Sequence, residues 1–149
     1  MRRMWFVVGA ALVAGCPSTP PPACIVVDAT CSPGYVPTFD HVYNNTLAQS
    51  CGSTRASCHS ASGHQGGLSM QDEATAYADL MAMSPNYHRP RVSPGDPACS
   101  LMIVRTDSPG AEYQMPPGDP LTEPERCALI QWVQMGAPGP GSAAGSAVQ

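Results

Sequence analysis

The sequence predicts a small all-α domain, with about four helices joined by long connections rich in glycine and proline. Apolar side chains recur at helical spacing in four segments. No segment shows the sustained alternation of polar and apolar residues that is typical of strands. The chain has 149 residues, 43% of them hydrophobic, which is enough for one modest domain.

The first two predicted helices begin at residues suited to capping. The first starts after Thr38, carries apolar residues at helical spacing, and ends near Ser50, where small polar residues take over. The second has Ser69 as its predicted N-cap with Asp72 three residues later, which is the spacing of a capping box. It is expected to stop before Pro85.

The third and fourth predicted helices combine an N-cap residue with an early proline. The third is expected to begin at Asp96-Pro97 and to fade by Thr106. The fourth is the clearest, because the segment from Thr122 to Glu125 supplies an N-cap threonine, an early proline and a capping glutamate. It should end at Gly136.

The first sixteen residues resemble the signal of a bacterial lipoprotein. Two arginines precede an apolar run that is too short to anchor a chain across a bilayer, and small residues then lead to Cys16. We expect residues 1–15 to be a signal peptide and Cys16 to carry the lipid, which attaches a protein without a transmembrane helix. The alternative is an ordinary cleaved signal with an incidental cysteine. The residue after Cys16 is Pro17, whereas an aspartate at this position retains lipoproteins in the inner membrane of many bacteria. The outer membrane is therefore favoured, with the domain facing the periplasm.

The rest of the chain divides into three parts. Residues 16–37 are rich in proline and predict an extended tether, residues 38–137 form the domain, and residues 138–149 predict a disordered tail. Removing the two arginines of the signal changes the net charge from −4 to −6, and the chain contains no lysine. Nucleic acids and anionic surfaces are therefore poor candidates as partners.

Seven cysteines in an exported chain predict a disulfide framework, because the compartment is oxidising. A core with few large apolar side chains also needs such a staple or a buried cofactor. Setting the lipidated cysteine aside leaves six, for which about fifteen pairings exist. Their positions along the chain favour disulfides between Cys24 and Cys31 and between Cys99 and Cys127.

A Cys-His dipeptide, Cys58-His59, is followed much later in the chain by Met115 and two prolines. A thiol, an imidazole and a thioether are what a c-type haem site needs: the first attaches the porphyrin and the other two bind the iron from opposite faces. The usual attachment motif is Cys-x-x-Cys-His. Here Arg55 stands where the first cysteine belongs, and the nearest upstream thiol is Cys51.

The order of landmarks along residues 37–137 resembles the small cytochrome c domains of exported planctomycete and myxobacterial proteins. These landmarks are Phe39-x-x-Val42-Tyr43, Cys58-His59, Gly66-Gly67-Leu68, Val92-Ser93-Pro94-Gly95-Asp96-Pro97, Ser100-Leu101, Met115-Pro116-Pro117, Leu121-Thr122-x-x-Glu125 and Trp132-Val133-x-x-Gly136-Ala137. The resemblance implies a cytochrome c fold, in which an N-terminal and a C-terminal helix cross beside one haem c. It also implies His59 as the proximal ligand, Met115 as the distal ligand and Cys58 as a thioether anchor.

Three outcomes are open at the incomplete motif. Cys58 alone can hold the haem, Cys51 can reach the second vinyl group, or the two cysteines can form a disulfide that leaves His59 a relic. With haem, we expect a lipid-anchored electron carrier rather than an enzyme, because an iron bound by both His59 and Met115 does not readily bind substrate. Its redox partner would be an unidentified periplasmic or membrane protein. Without haem, the alternative is a disulfide-stapled lipoprotein domain used for binding or scaffolding, with its cofactor slot collapsed.

Overall fold

The computed structural model of the chain describes residues 20–52 and 58–143. The predicted signal peptide, the lipidation site Cys16, Arg55 and the last six residues of the tail lie outside the described residues. Within the described ranges the structure is helical and contains no strand, apart from an isolated bridge between Met83 and Pro90. The predicted all-α class is confirmed for this part of the chain.

The first helix is continuous but changes geometry along its length. It comprises α1 (Phe39–Val42), a π-helical stretch (Tyr43–Leu47) and α2 (Ala48–Ser50). The Thr38 hydroxyl accepts a hydrogen bond from the His41 amide, as its predicted role as N-cap requires. The wider π turn is a form that helices adopt in single turns, often near functional sites.

The next two helices begin later than the sequence predicts. Helix α3 (Glu73–Met81) is capped by Asp72, whose carboxylate accepts a hydrogen bond from the Thr75 amide at 2.9 Å, so the prediction of Ser69 as the cap is wrong. Helix α4 (Leu101–Thr106) has Ser100 as its N-cap. The Asp96 carboxylate instead accepts a hydrogen bond from the Cys99 amide in the turn before α4.

Helix α5 (Glu123–Gln134) forms as predicted, with the Thr122 and Glu125 capping box in place. It packs against α1 through aromatic rings: the ring centroids of Phe39 and Trp132 are 5.2 Å apart. Both side chains are fully buried, and the Trp132 indole donates a hydrogen bond to the carbonyl of Pro138 at 3.0 Å. The first and last helices are therefore in direct contact in the core.

The disulfides pair differently from the prediction. Cys24 is bonded to Cys99 and Cys31 to Cys127, so the expected Cys24–Cys31 and Cys99–Cys127 bridges are wrong. Both observed bridges join the N-terminal segment to the domain. The predicted bridges would instead have joined two cysteines of the same part, one pair in the N-terminal segment and one pair in the domain. Proximity along the chain was a poor guide, because the path of residues 20–37 decides which thiols meet.

Residues 20–37, here called the N-terminal strap, lie along the domain. The Ile25 amide donates to the carbonyl of Ala98, and the Gly34 amide donates to the carbonyl of Pro124, both at 3.0 Å. These contacts bring one end of the strap to the turn before α4 and the other to the start of α5. Cys24 and Cys31 are thereby placed beside Cys99 and Cys127, and the described part of the predicted tether is bound rather than extended away.

The strap is also held by side chains of the domain. The Arg89 guanidinium donates to the carbonyls of Pro22 and Ala23, and the Gln131 amide donates to the carbonyl of Cys31 at 2.8 Å. None of the helices in the described part of the chain has the length and hydrophobicity needed to span a lipid bilayer.

Candidate functional site

A cavity of about 160 Å³ lies among the first helix, the loop after Cys58, α3 and α4. His59 and Met115, the two predicted iron ligands, both line it. The apolar side chains that line it are Leu47, Leu68, Met70, Leu80, Leu101 and Met102. The structure thus places an imidazole and a thioether from distant parts of the sequence around one largely apolar cavity, here called the slot.

A second, smaller cavity of about 30 Å³ lies at the edge of the slot. His59, Met115 and Cys51 line both cavities, and Cys58 lines the small one together with the two prolines that follow Met115. All four side chains of the predicted site are therefore brought together, with the two cysteines at one edge.

His59 is positioned by its own backbone and by a tight loop. Its carbonyl accepts a hydrogen bond from the Met70 amide at 2.7 Å, and the carbonyl of Cys58 accepts one from the Gln65 amide at 2.8 Å. His64 adopts a left-handed conformation at φ 44° and turns the chain into a short 3₁₀ helix at Gln65–Gly67. This loop returns the chain to the slot and fixes the Cys58-His59 backbone.

The His59 side chain is half-buried, and its surroundings favour the neutral imidazole. Burial lowers its pKa; the backbone at Leu68 and Gln65 opposes the shift, and the positive charges of Arg105 and Arg91 add to it. No described residue makes a hydrogen bond to its buried Nδ1 atom. A buried ring nitrogen without a partner is costly, and a neutral imidazole is the form that binds metals.

Met115 is attached to α4 by its backbone. Its amide donates a hydrogen bond to the carbonyl of Arg105 at 2.9 Å. The next residue is fixed as well, because the buried Gln114 side chain donates to the carbonyl of Pro116 at 2.8 Å. The turn after α4 therefore places the Met115 side chain at the slot.

Neither Cys51 nor Cys58 is in a disulfide, and both are half-buried. The thiol of Cys51 faces apolar surroundings, and burial raises its pKa to about 12; the charge of Glu125 contributes to the same shift. The cysteine is therefore protonated at neutral pH, unlike the low-pKa thiols that react readily.

Two cationic side chains also line the slot. Arg91 is only 6% exposed, and its guanidinium donates to the carbonyls of Gly66 and Gly67 at 2.7 and 2.9 Å. Arg105 donates to the hydroxyl of Tyr87 at 3.2 Å and lies 5.7 Å from the centroid of its ring. Sequence reasoning missed Arg105 and Tyr87; the available signal was a lone basic residue in the last turn of an otherwise apolar short helix.

The residues present fit a haem. The slot is largely apolar, an imidazole and a thioether line it, and two thiols lie at its edge, which is the donor set of a c-type site. His59 and Met115 would hold the iron, and Cys58 would hold the porphyrin. The helical residues that line the two cavities come from the π-helical stretch, α2, the 3₁₀ helix, α3 and α4, and none of them lies in α1 or α5. Comparison of the chain with models of protein families, with curated proteins and with solved structures finds no match.

Proposed function

We propose that this protein is a c-type cytochrome that carries single electrons while attached by lipid to a membrane facing the periplasm. The observation that carries the proposal is that His59 and Met115 line the same apolar cavity, with Cys51 and Cys58 at its edge and in no disulfide. The sequence order of landmarks supports a cytochrome c-like fold, as does the contact between the first and last helices.

The chain's own residues would serve electron transfer rather than catalysis. Haem iron supplies a reversible one-electron couple, and an axial methionine raises its reduction potential relative to two histidines. His59 and Met115 would together hold the iron, which would therefore not readily bind substrate. The apolar lining of Leu68, Leu80 and Met102 excludes water, which also favours a stable couple. We infer an unidentified periplasmic or membrane redox partner.

The experiment is expression with a cytochrome c maturation system, followed by a visible spectrum of the reduced protein. We expect His59→Ala to abolish the spectrum, and Met115→Ala to retain haem that binds an added ligand such as carbon monoxide. Exposed residues of the same types supply the controls: His88→Ala and Met83→Ala should leave the spectrum unchanged.

A second candidate is a haemless domain that uses the same fold for binding or scaffolding. The bridges Cys24–Cys99 and Cys31–Cys127 are compatible with it, because they stabilise a core that also packs through Phe39 and Trp132. A colourless product from the maturation strain, in which alkylating reagents modify Cys58, would support this candidate and contradict the first.

A further inference from the structure

Cys51 lies at the junction of the two cavities of the site. It lines the slot together with His59 and Met115, and it lines the small cavity together with Cys58. Cys58 lines the small cavity only. Of the two thiols, therefore, the one outside the Cys-His dipeptide has the more direct access to the slot.

The position of Cys51 is set by the helix that precedes it. Cys51 is the C-cap of α2, and its amide donates to the carbonyl of Leu47 at 2.9 Å; the amide of Gly52 donates to the same carbonyl at 3.0 Å. The backbone then passes so close to Met70 that a Cβ at Gly52 would lie 3.1 Å from the carbonyl oxygen of Met70. This close approach favours glycine at position 52, because a larger residue would push the Met70 backbone away by a few tenths of an ångström.

Met70 connects this helix end to the histidine. Its amide donates to the carbonyl of His59 at 2.7 Å, while its carbonyl lies against Gly52. Cys51 and His59 are therefore fixed relative to one another through Gly52 and Met70, independently of residues 53–57.

We infer that Cys51 forms a second thioether bond to the same haem, so that the attachment motif of this chain is Cys51-x6-Cys58-His59. The inference rests on the proposed function. The two vinyl groups of haem lie on neighbouring pyrrole rings at one edge of the macrocycle, and the two thiols lie at one edge of the slot. Both bonds can therefore form with His59 on the iron.

The reaction is an addition that needs no oxidant or reductant. The Cys51 S–H adds across a vinyl C=C bond: sulfur bonds to the carbon next to the ring, and the hydrogen goes to the terminal carbon, which becomes a methyl group. Cys58 adds to the other vinyl group in the same way.

Arg55 makes the inference directly testable. The chain has no lysine, so trypsin cuts only after arginine, and Arg55 is the one arginine between the two cysteines. The haem-loaded protein is denatured, reduced, alkylated with iodoacetamide, digested with trypsin and analysed by mass spectrometry. We expect the peptide that ends at Arg55 and the peptide that begins at Ala56 to remain joined through one haem, with Cys51 unmodified by iodoacetamide.

A haem on the Ala56 peptide alone, with Cys51 alkylated, would overturn the inference and leave the proposed function standing. A chain without haem would overturn both. A variant provides a second measurement: Cys51→Ala should keep its haem through Cys58, and the α band of its pyridine adduct should move to longer wavelength because one vinyl group stays unsaturated. The control is Ser50→Ala, at the same small cavity, which should not move the band. Identical bands for the wild type and Cys51→Ala would also overturn the inference.

Discussion

The bridge between Cys31 and Cys127 gives a stability prediction whose size follows from the structure. Replacing both cysteines with alanine, with Cys24–Cys99 left intact, opens one closed loop of the unfolded chain. The two bridged residues are 96 positions apart, but the remaining bridge shortens the path between them. That path runs through seven residues of the strap and twenty-eight between positions 99 and 127, which makes a loop of about 35 residues.

The chain-entropy relation gives about 3.8 kcal/mol for a loop of about 35 residues. If the other bridge were absent, the full separation would give about 4.7 kcal/mol. A loss of this size is a large part of the stability of a small domain, about 5–15 kcal/mol. We therefore expect the double alanine variant to unfold at a clearly lower urea concentration, with a free energy of unfolding lower by about 3–4 kcal/mol.

Urea unfolding followed by circular dichroism measures this change, and the matched control is the double variant of Cys24 and Cys99. Each double variant should retain one intact bridge. If Cys24 paired with Cys31 and Cys99 with Cys127 instead, each of these variants would lose both bridges and expose two alkylatable thiols. That result, or a stability change under 1 kcal/mol, would refute the pairing and the reasoning from loop length.

Three further predictions concern the core and the slot. Arg91→Met should lower the free energy of unfolding by about 2–4 kcal/mol, because the carbonyls of Gly66 and Gly67 lose their donor; a urea midpoint like that of the wild type would contradict this. Burial lowers the pKa of His59 below its usual value of 6.5, so that near this pH the unfolded chain binds a proton that the folded chain does not. The free energy of unfolding of the haem-free protein should therefore decrease as the pH falls below about 6.5. His59→Gln should lose less over the same range, as measured by urea unfolding at each pH, and equal losses would exclude His59 as the cause. Phe39→Ala should cost about 3–5 kcal/mol, since its ring is fully buried against α5, and a loss under 1 kcal/mol would show that the two helices do not share a core.

The helices that could be predicted well are those whose ends carry local signals. Thr38 and the capping box at Thr122 each satisfy amides within three residues, so the sequence alone determines them. The start of α3 was predicted at Ser69 instead of Asp72, because both residues are of types that cap helices. The Ser69 amide donates to the carboxylate of Asp79, a contact ten residues away that no local pattern reveals.

The candidate site likewise has some features that the sequence could predict and others that it could not. That Cys58, His59 and Met115 lie close together could be predicted, because the order of landmarks along the chain resembles that of a known family. The pairing of the disulfides could not be predicted, since the path of the strap depends on backbone contacts such as the hydrogen bond from Ile25 to Ala98. Arg105 faces the slot only because α4 packs with that side inward, and a helix of six residues carries too little periodicity to predict its orientation.

Covalent haem attachment to the wild-type chain tests the central claim most directly. The protein is produced with a cytochrome c maturation system, denatured, extracted with acidified acetone, and examined for haem by its reduced pyridine spectrum. We expect haem that stays with the polypeptide after extraction, in a ratio of one per chain. A polypeptide that is colourless after extraction, with Cys58 open to alkylation, would contradict it.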